Sequence, residues 1–221
     1  MQHRQFETAP EIREAVRELL EQTLSTGGAA PRLVLLSGGS TPIPVYNAIA
    51  AEPFTLAEGA HIGFTDERHV PETDPQSNYA ATLPMLQALN IVSTQVLRPA
   101  TDQPLAGAAA GYDAQLRRYL DAGGTIPLAI VGLGADGHTC SLFTEGDLTT
   151  SAGHLAAPIE RPAPPPRITV SPELLARVER VIVLVAGPDK QAVVAQLLNT
   201  PGDIVAGRAL NGCRLVEVWQ Q

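Results

Sequence analysis

Asp136 and His138 stand two residues apart in Gly132-Leu-Gly-Ala-Asp-Gly-His-Thr-Cys-Ser-Leu-Phe143, directly after the apolar run Leu128 to Val131. Histidine is the side chain that changes charge near neutral pH. Beside a carboxylate that can orient it, His138 is therefore a candidate general base. Gly132, Gly134 and Gly137 allow the positive φ angles and close backbone approach that a sharp turn needs. The same pattern also fits a structural histidine whose nitrogens are satisfied inside a glycine-rich turn.

Two further segments carry chemistry. In Leu33-Val-Leu-Leu-Ser-Gly-Gly-Ser-Thr-Pro42 an apolar run ends in glycines, hydroxyls and a proline, which reads as strand, tight turn and helix start. Ser40 or Thr41 suits the N-cap, and Gly38 and Gly39 leave backbone N–H groups free to meet an anion such as phosphate. The alternative is an ordinary capped helix. Neither the Walker lysine nor the GxGxxG spacing is present, which argues against a nucleotide triphosphatase and a dinucleotide-dependent dehydrogenase. In Ile62-Gly-Phe-Thr-Asp-Glu-Arg-His-Val-Pro71, Arg68 offers a planar fork to a phosphate or carboxylate. There Asp66 or Glu67 can accept from hydroxyls or fix the arginine, and the alternative is a solvated charged loop.

These segments need a scaffold, and the rest of the chain supplies its pattern. Ile12, Val16, Leu19 and Leu20 share a helical face, Leu33 to Leu36 reads as a strand, and Pro42 to Ala51 as a helix. The alternation continues with a strand at Ile62 to Phe64, a helix at Tyr79 to Leu89, a helix through Leu105 to Tyr119, and strands at Leu128 and Val181 to Val185. A helix carrying Val193 to Leu198 and a last strand at Leu215 to Trp219 follow. The expected fold is α/β: a doubly wound, mostly parallel open sheet with helices on both faces, in one domain over residues 1–221. The candidate loops follow strands and so gather outside the carboxyl ends of the sheet, where such folds bind ligands. Pro158 to Pro166 reads as an extended surface loop. From it Arg167 either swings into the site or is held by a backbone carbonyl.

Composition bounds the partners. A formal net charge of −8, from 15 Lys and Arg against 23 Asp and Glu, argues against a nucleic-acid partner. An anionic substrate must then be met by a locally positive pocket. No apolar run approaches the roughly 20 residues of a membrane span, and the first residues carry no apolar signal region, so no membrane partner and a cytoplasmic location are expected. Cys140 and Cys213 make neither a disulfide framework nor a metal-ligand spacing, and no metal is expected. Cys140 lacks an activating pair and is not expected to be a nucleophile. His61, His69 and His154 read as solvated or structural, and the sequence assigns no oligomeric state.

Together the three segments, with Pro164-Pro-Pro-Arg-Ile-Thr169 and Gly187-Pro-Asp-Lys190, resemble the 6-phosphogluconolactonases within the wider family of glucosamine-6-phosphate isomerases and deaminases. The resemblance spans most of the chain in the family's order. It implies cofactor-free hydrolysis of a small anionic sugar phosphate, 6-phospho-D-glucono-1,5-lactone, in the oxidative pentose phosphate pathway. It further implies that His138 moves the proton and Asp136 orients it. The phosphate is expected at Ser40, Thr41, Arg68 and Lys190, beside Gly38 and Gly39, with Asp66 reading a sugar hydroxyl. Backbone N–H groups of Gly38 to Thr41, or of Gly134 to His138, would serve the oxyanion. Without the resemblance, Lys190 reads rather as a solvated first-turn lysine. One departure stands out: Thr144-Glu145-Gly146 follows Leu-Phe where lactonases usually have proline, and Glu145 could mimic a deaminase acid. The rival readings are a sugar-phosphate isomerase or deaminase, and a non-catalytic sugar-phosphate sensor.

Overall fold

The computed structural model describes residues Met1 to Gln221. In its first half the chain forms β1 (Gln2–Gln5), α1 (Ala9–Ser25), β2 (Arg32–Leu36), α2 (Ile43–Ala51), β3 (Ala60–Phe64), β4 (Asp66–Arg68), α3 (Asn78–Ala88), β5 (Val96–Leu97) and α4 (Leu105–Asp121). In its second half it forms β6 (Thr125–Gly132), α5 (Glu145–Ser151), β7 (Ala156–Ile159), β8 (Arg167–Val170), α6 (Pro172–Leu175), β9 (Val178–Val185), α7 (Gln191–Asn199), α8 (Val205–Ala209) and β10 (Val216–Gln220). Seven strands make one parallel sheet in the order β1-β10-β9-β6-β2-β3-β5.

Burial on both faces explains why these strands read as unbroken apolar runs. In β2, Leu33 and Leu35 enter the core on one face, while Val34 and Leu36 enter the core on the other. The chain winds from β2 outward to β3 and β5, then returns to β6 on the opposite side of β2. Strand order therefore reverses between β2 and β6, and the loops leaving their carboxyl ends part to open a crevice.

Two buried tyrosines fix the strand ends that feed this crevice. The Tyr112 hydroxyl of α4 donates to the Phe64 carbonyl at 2.7 Å and accepts from the Phe64 N–H at 3.0 Å. It thereby satisfies the end of β3 beyond its pairing with the short edge strand β5. The Tyr46 hydroxyl of α2 donates to the Ser37 carbonyl at 3.0 Å, just past β2. Burial pushes both phenols well above the ordinary tyrosine range, so they remain hydrogen-bond donors.

Three details differ from the sequence reading. Asp66 to Arg68 is not a loop but β4, which joins β8 and β7 in a second, antiparallel sheet with Arg68 directly opposite Arg167. Pro158 lies in β7, so the extended loop is shorter than its prolines suggest. Such short strands with charged residues carry too few residues to show a period of two. Third, α2 is capped by Pro42, whose backbone is already helical, and no Ser40 or Thr41 side chain accepts a cap bond. No helix is long and apolar enough to cross a membrane.

Candidate active site

A cavity of about 340 Å³ opens at the carboxyl ends of β2 and β6, walled by the Ser37–Gly39 turn, Asp66, Arg68, the loop after β6, Arg161 and Arg167. The loop after β6 folds on itself. The Gly134 N–H donates to the His138 carbonyl at 2.9 Å, the Gly137 N–H to the Gly134 carbonyl at 3.0 Å, and the Thr139 hydroxyl to the Gly132 carbonyl at 2.8 Å. Gly137 takes a φ of 84°, open to glycine at little cost. A side chain on Gly134 would overlap both the His138 ring and the Asp136 carboxylate, so the tight packing of that pair depends on a missing Cβ.

His138 Nδ1 lies 2.5 Å from Asp136 Oδ1. An ionised carboxylate only accepts, so Nδ1 carries the hydrogen and Nε2 is left as the accepting nitrogen. Partial burial raises the Asp136 carboxyl, but the hydrogen bonds and charge of His138 outweigh it and hold the group below the ordinary aspartate range. The imidazole packs on Phe143 in a tilted arrangement, with ring centroids 4.5 Å apart. The guanidinium of Arg161 stands 3.8 Å over the Phe143 ring.

Asp66 joins the two sides of the crevice. Its Oδ2 accepts from the Ser141 hydroxyl at 2.6 Å, and its Oδ1 from Asn78 Nδ2 at 3.2 Å. Asn78 in turn fills the space where Gly38 would carry a side chain. Glu67, the neighbour of Asp66, has a different role. Buried away from the cavity, it accepts from the N–H groups of Arg68 and Asn78 at 2.7 Å and of Tyr79 at 2.8 Å, and from the Ser77 hydroxyl at 3.1 Å. It closes the N-terminus of α3, where unpaired N–H groups favour an anion. Burial pushes its carboxyl above the ordinary glutamate range, only partly offset by those N–H groups.

The cavity answers the problem posed by a net charge of −8 with a local cluster of arginines. Arg68, Arg161 and Arg167 all line it, and none belongs to a salt bridge. Arg68 donates to the Gln76 carbonyl at 2.7 Å, leaving its buried Nε without a partner. Arg167 is held by the carbonyls of Pro165 and Pro166 and also lines the cavity. Burial first, then the charge of Arg68, pulls its guanidinium below the ordinary arginine range. The N–H groups of Gly38, Gly39, Ser40 and Thr41 donate to no protein acceptor.

Of the residues singled out from the sequence, Gly38, Gly39, Asp66, Arg68, His138 and Arg167 share this lining. Asp136 stands behind His138, more exposed. Ser40, Thr41 and Lys190 lie outside the lining, Lys190 at the start of α7 beyond the carboxyl end of β9. Glu145 also lies outside, at the start of α5 and paired with Arg208 of α8. Ser141, Phe143 and Arg161 line the cavity without having been singled out. Nothing local marks Arg161, since its relation to Phe143 exists only in three dimensions. No group of three His, Cys, Asp or Glu side chains is placed to hold a metal ion.

A family model described as glucosamine-6-phosphate isomerases/6-phosphogluconolactonase matches residues 4–212. The human 6-phosphogluconolactonase is 34% identical over 208 residues, covering 88% of this chain and 80% of that one. The crystal structure of 6-phosphogluconolactonase from Thermotoga maritima superposes with a TM-score of 0.78 at 26% identity, over 99% of this chain and 98% of that one. A monomeric glucosamine-6-phosphate deaminase superposes with a TM-score of 0.77 at 17% identity, over 100% and 97% of the two chains, a likeness of fold alone.

Proposed function

Because the chain belongs to the family of glucosamine-6-phosphate isomerases and 6-phosphogluconolactonases, we propose that His138 is the general base with which it hydrolyses 6-phospho-D-glucono-1,5-lactone to 6-phosphogluconate. The observation that carries this reading is the 2.5 Å contact of His138 Nδ1 with Asp136, which leaves Nε2 as the accepting nitrogen on a residue lining the cavity. The enzyme is a lactone hydrolase of the oxidative pentose phosphate pathway, and its setting is the cytoplasm.

The reaction is acyl transfer to water. Nε2 takes a proton as the water oxygen bonds to C1, and the carbonyl electrons move to the exocyclic oxygen. Asp136 offsets the charge of the imidazolium that forms. When the oxyanion collapses, the bond from C1 to the ring oxygen breaks and the imidazolium returns the proton to that oxygen. The substrate phosphate sits at the free N–H groups of Gly38 to Thr41 and at Arg68 and Arg167, with Lys190 contributing charge from the start of α7. Anchoring it there orients C1 toward His138, so remote binding energy serves the reacting carbon. Asp66, already held by Ser141 and Asn78, is positioned to accept from a sugar hydroxyl.

The deaminase alternative needs a second acid in the site, and Glu145 is turned instead to Arg208. The test is hydrolysis of freshly generated 6-phosphogluconolactone, corrected for spontaneous opening, with ammonia release from glucosamine 6-phosphate measured beside it. Rapid lactone opening without ammonia is expected, and ammonia release or no turnover would overturn the reading.

A further inference from the structure

The lactonase reading creates negative charge at a carbon where the substrate had none, first as an oxyanion and then as a carboxylate. Most backbone N–H groups of the loop that carries His138 are already engaged. Its N–H groups at Gly134, Gly137, His138, Ser141, Leu142, Phe143 and Thr144 all donate to protein acceptors. Arg161 is differently placed. It lines the cavity, enters no salt bridge, and is held over Phe143, the same ring on which the His138 imidazole packs. A guanidinium seated over an aromatic ring is fixed in direction while its donors remain free, which suits a planar carboxylate. Arg68 is tied instead to the Gln76 carbonyl, and its strand neighbour Asp66 holds Asn78, which packs on Gly38.

Resting on the lactonase reading, we propose that Arg161 is a specificity-determining residue that binds the charge appearing at C1 and holds the carboxylate of the product. The cavity then has two anion ends: a phosphate end at Gly38, Gly39 and Arg68, and a carboxylate end at Arg161 over Phe143. An enzyme with this arrangement favours a ligand bearing both anions over one bearing the phosphate alone.

The test uses titration calorimetry of the intact protein with two ligands, 6-phosphogluconate and glucitol 6-phosphate, which lacks the carboxylate. Arg161→Gln is expected to weaken 6-phosphogluconate binding by about 10- to 100-fold, the order lost with a hydrogen bond to a charged group, and to leave glucitol 6-phosphate unchanged. Arg68→Gln should weaken both. Lactone turnover by Arg161→Gln should show a lower kcat with little change in KM, because the charge it meets is absent from the ground state. If Arg161→Gln weakens both ligands alike, Arg161 serves the phosphate and the proposal is overturned. If it weakens neither, it is overturned too. Failure of the wild-type protein to bind either ligand would remove the sugar-phosphate reading itself, a separate result from loss of the carboxylate preference.

Discussion

Arg68 and Arg167 face each other as register partners across β4 and β8, with no carboxylate paired to either. Like charges directly opposite on a sheet repel, so this pairing favours an anion between them. Arg68→Ala should raise KM for the lactone about 10- to 100-fold with a smaller change in kcat, as expected when a charged hydrogen bond to a non-reacting group is lost. Lys190→Ala, outside the cavity lining, should raise it less. Inorganic phosphate should raise the melting temperature of the wild type and have little effect on Arg68→Ala. Equal KM values for wild type and Arg68→Ala would remove the cation from the binding site.

His138→Ala should lower kcat by about 10²- to 10⁴-fold, the usual contribution of a positioned base, while leaving the affinity for 6-phosphogluconate nearly intact. Turnover equal to the wild type would end the mechanism.

Asp136→Asn should lower kcat by roughly 10²-fold, since an amide nitrogen facing Nδ1 selects the wrong tautomer. The pH dependence separates this from a general loss of stability. The Asp136 carboxyl is held below its ordinary range in the folded protein. Its stabilising contribution is therefore complete above that range, about pH 4, and is lost as pH falls through the depressed value. The difference in melting temperature between wild type and Asp136→Asn should not close between neutral pH and about pH 5 and should shrink only below that. A gap that closes between pH 7 and pH 5 would mean that the carboxyl titrates higher than this contact allows.

Glu67→Gln tests a residue that looks like a ligand in the sequence and behaves as a cap in the fold. An amide can accept on one side only, so two of the four donors that Glu67 receives lose their partner. Stability should fall by about 1–3 kcal/mol, measured by urea unfolding, with KM for the lactone little changed in the fraction that remains folded. A large KM effect without destabilisation would place Glu67 in the binding site after all.

Glu145→Gln should leave lactone hydrolysis within about twofold of wild type, because an exposed pair such as Glu145 with Arg208 contributes little. Loss of turnover would restore the acid role that the unusual Thr144-Glu145-Gly146 sequence suggests.

The parallel sheet was legible because its strands are buried on both faces and therefore written as runs such as Leu33 to Leu36 and Val181 to Val185. β1 was not, since Gln2 to Gln5 is an exposed polar edge whose only instruction is pairing with β10. The small sheet escaped for a related reason. Asp66-Glu67-Arg68 looks like a charged loop, and what makes it a strand is the distant Arg167 to Thr169. Glycine-rich turns announced the His138 and Gly38 corners because their backbone needs are local. Arg161 has no such local need, and its place depends on a ring eighteen residues earlier in the chain.

The proposed base and the two paired arginines belong to different sheets. His138 leaves β6 of the parallel sheet, whereas Arg68 and Arg167 belong to the antiparallel one, stitched to the first through Thr65, whose N–H donates to Leu36 and whose carbonyl accepts from Val170. The two sheets also meet at the cavity, where Ser141 of the His138 loop donates to Asp66 of β4. A lineage could exchange Arg68 and Arg167 for other side chains, and so adopt substrates of different charge, while keeping Asp66 and with it the contact to the His138 loop.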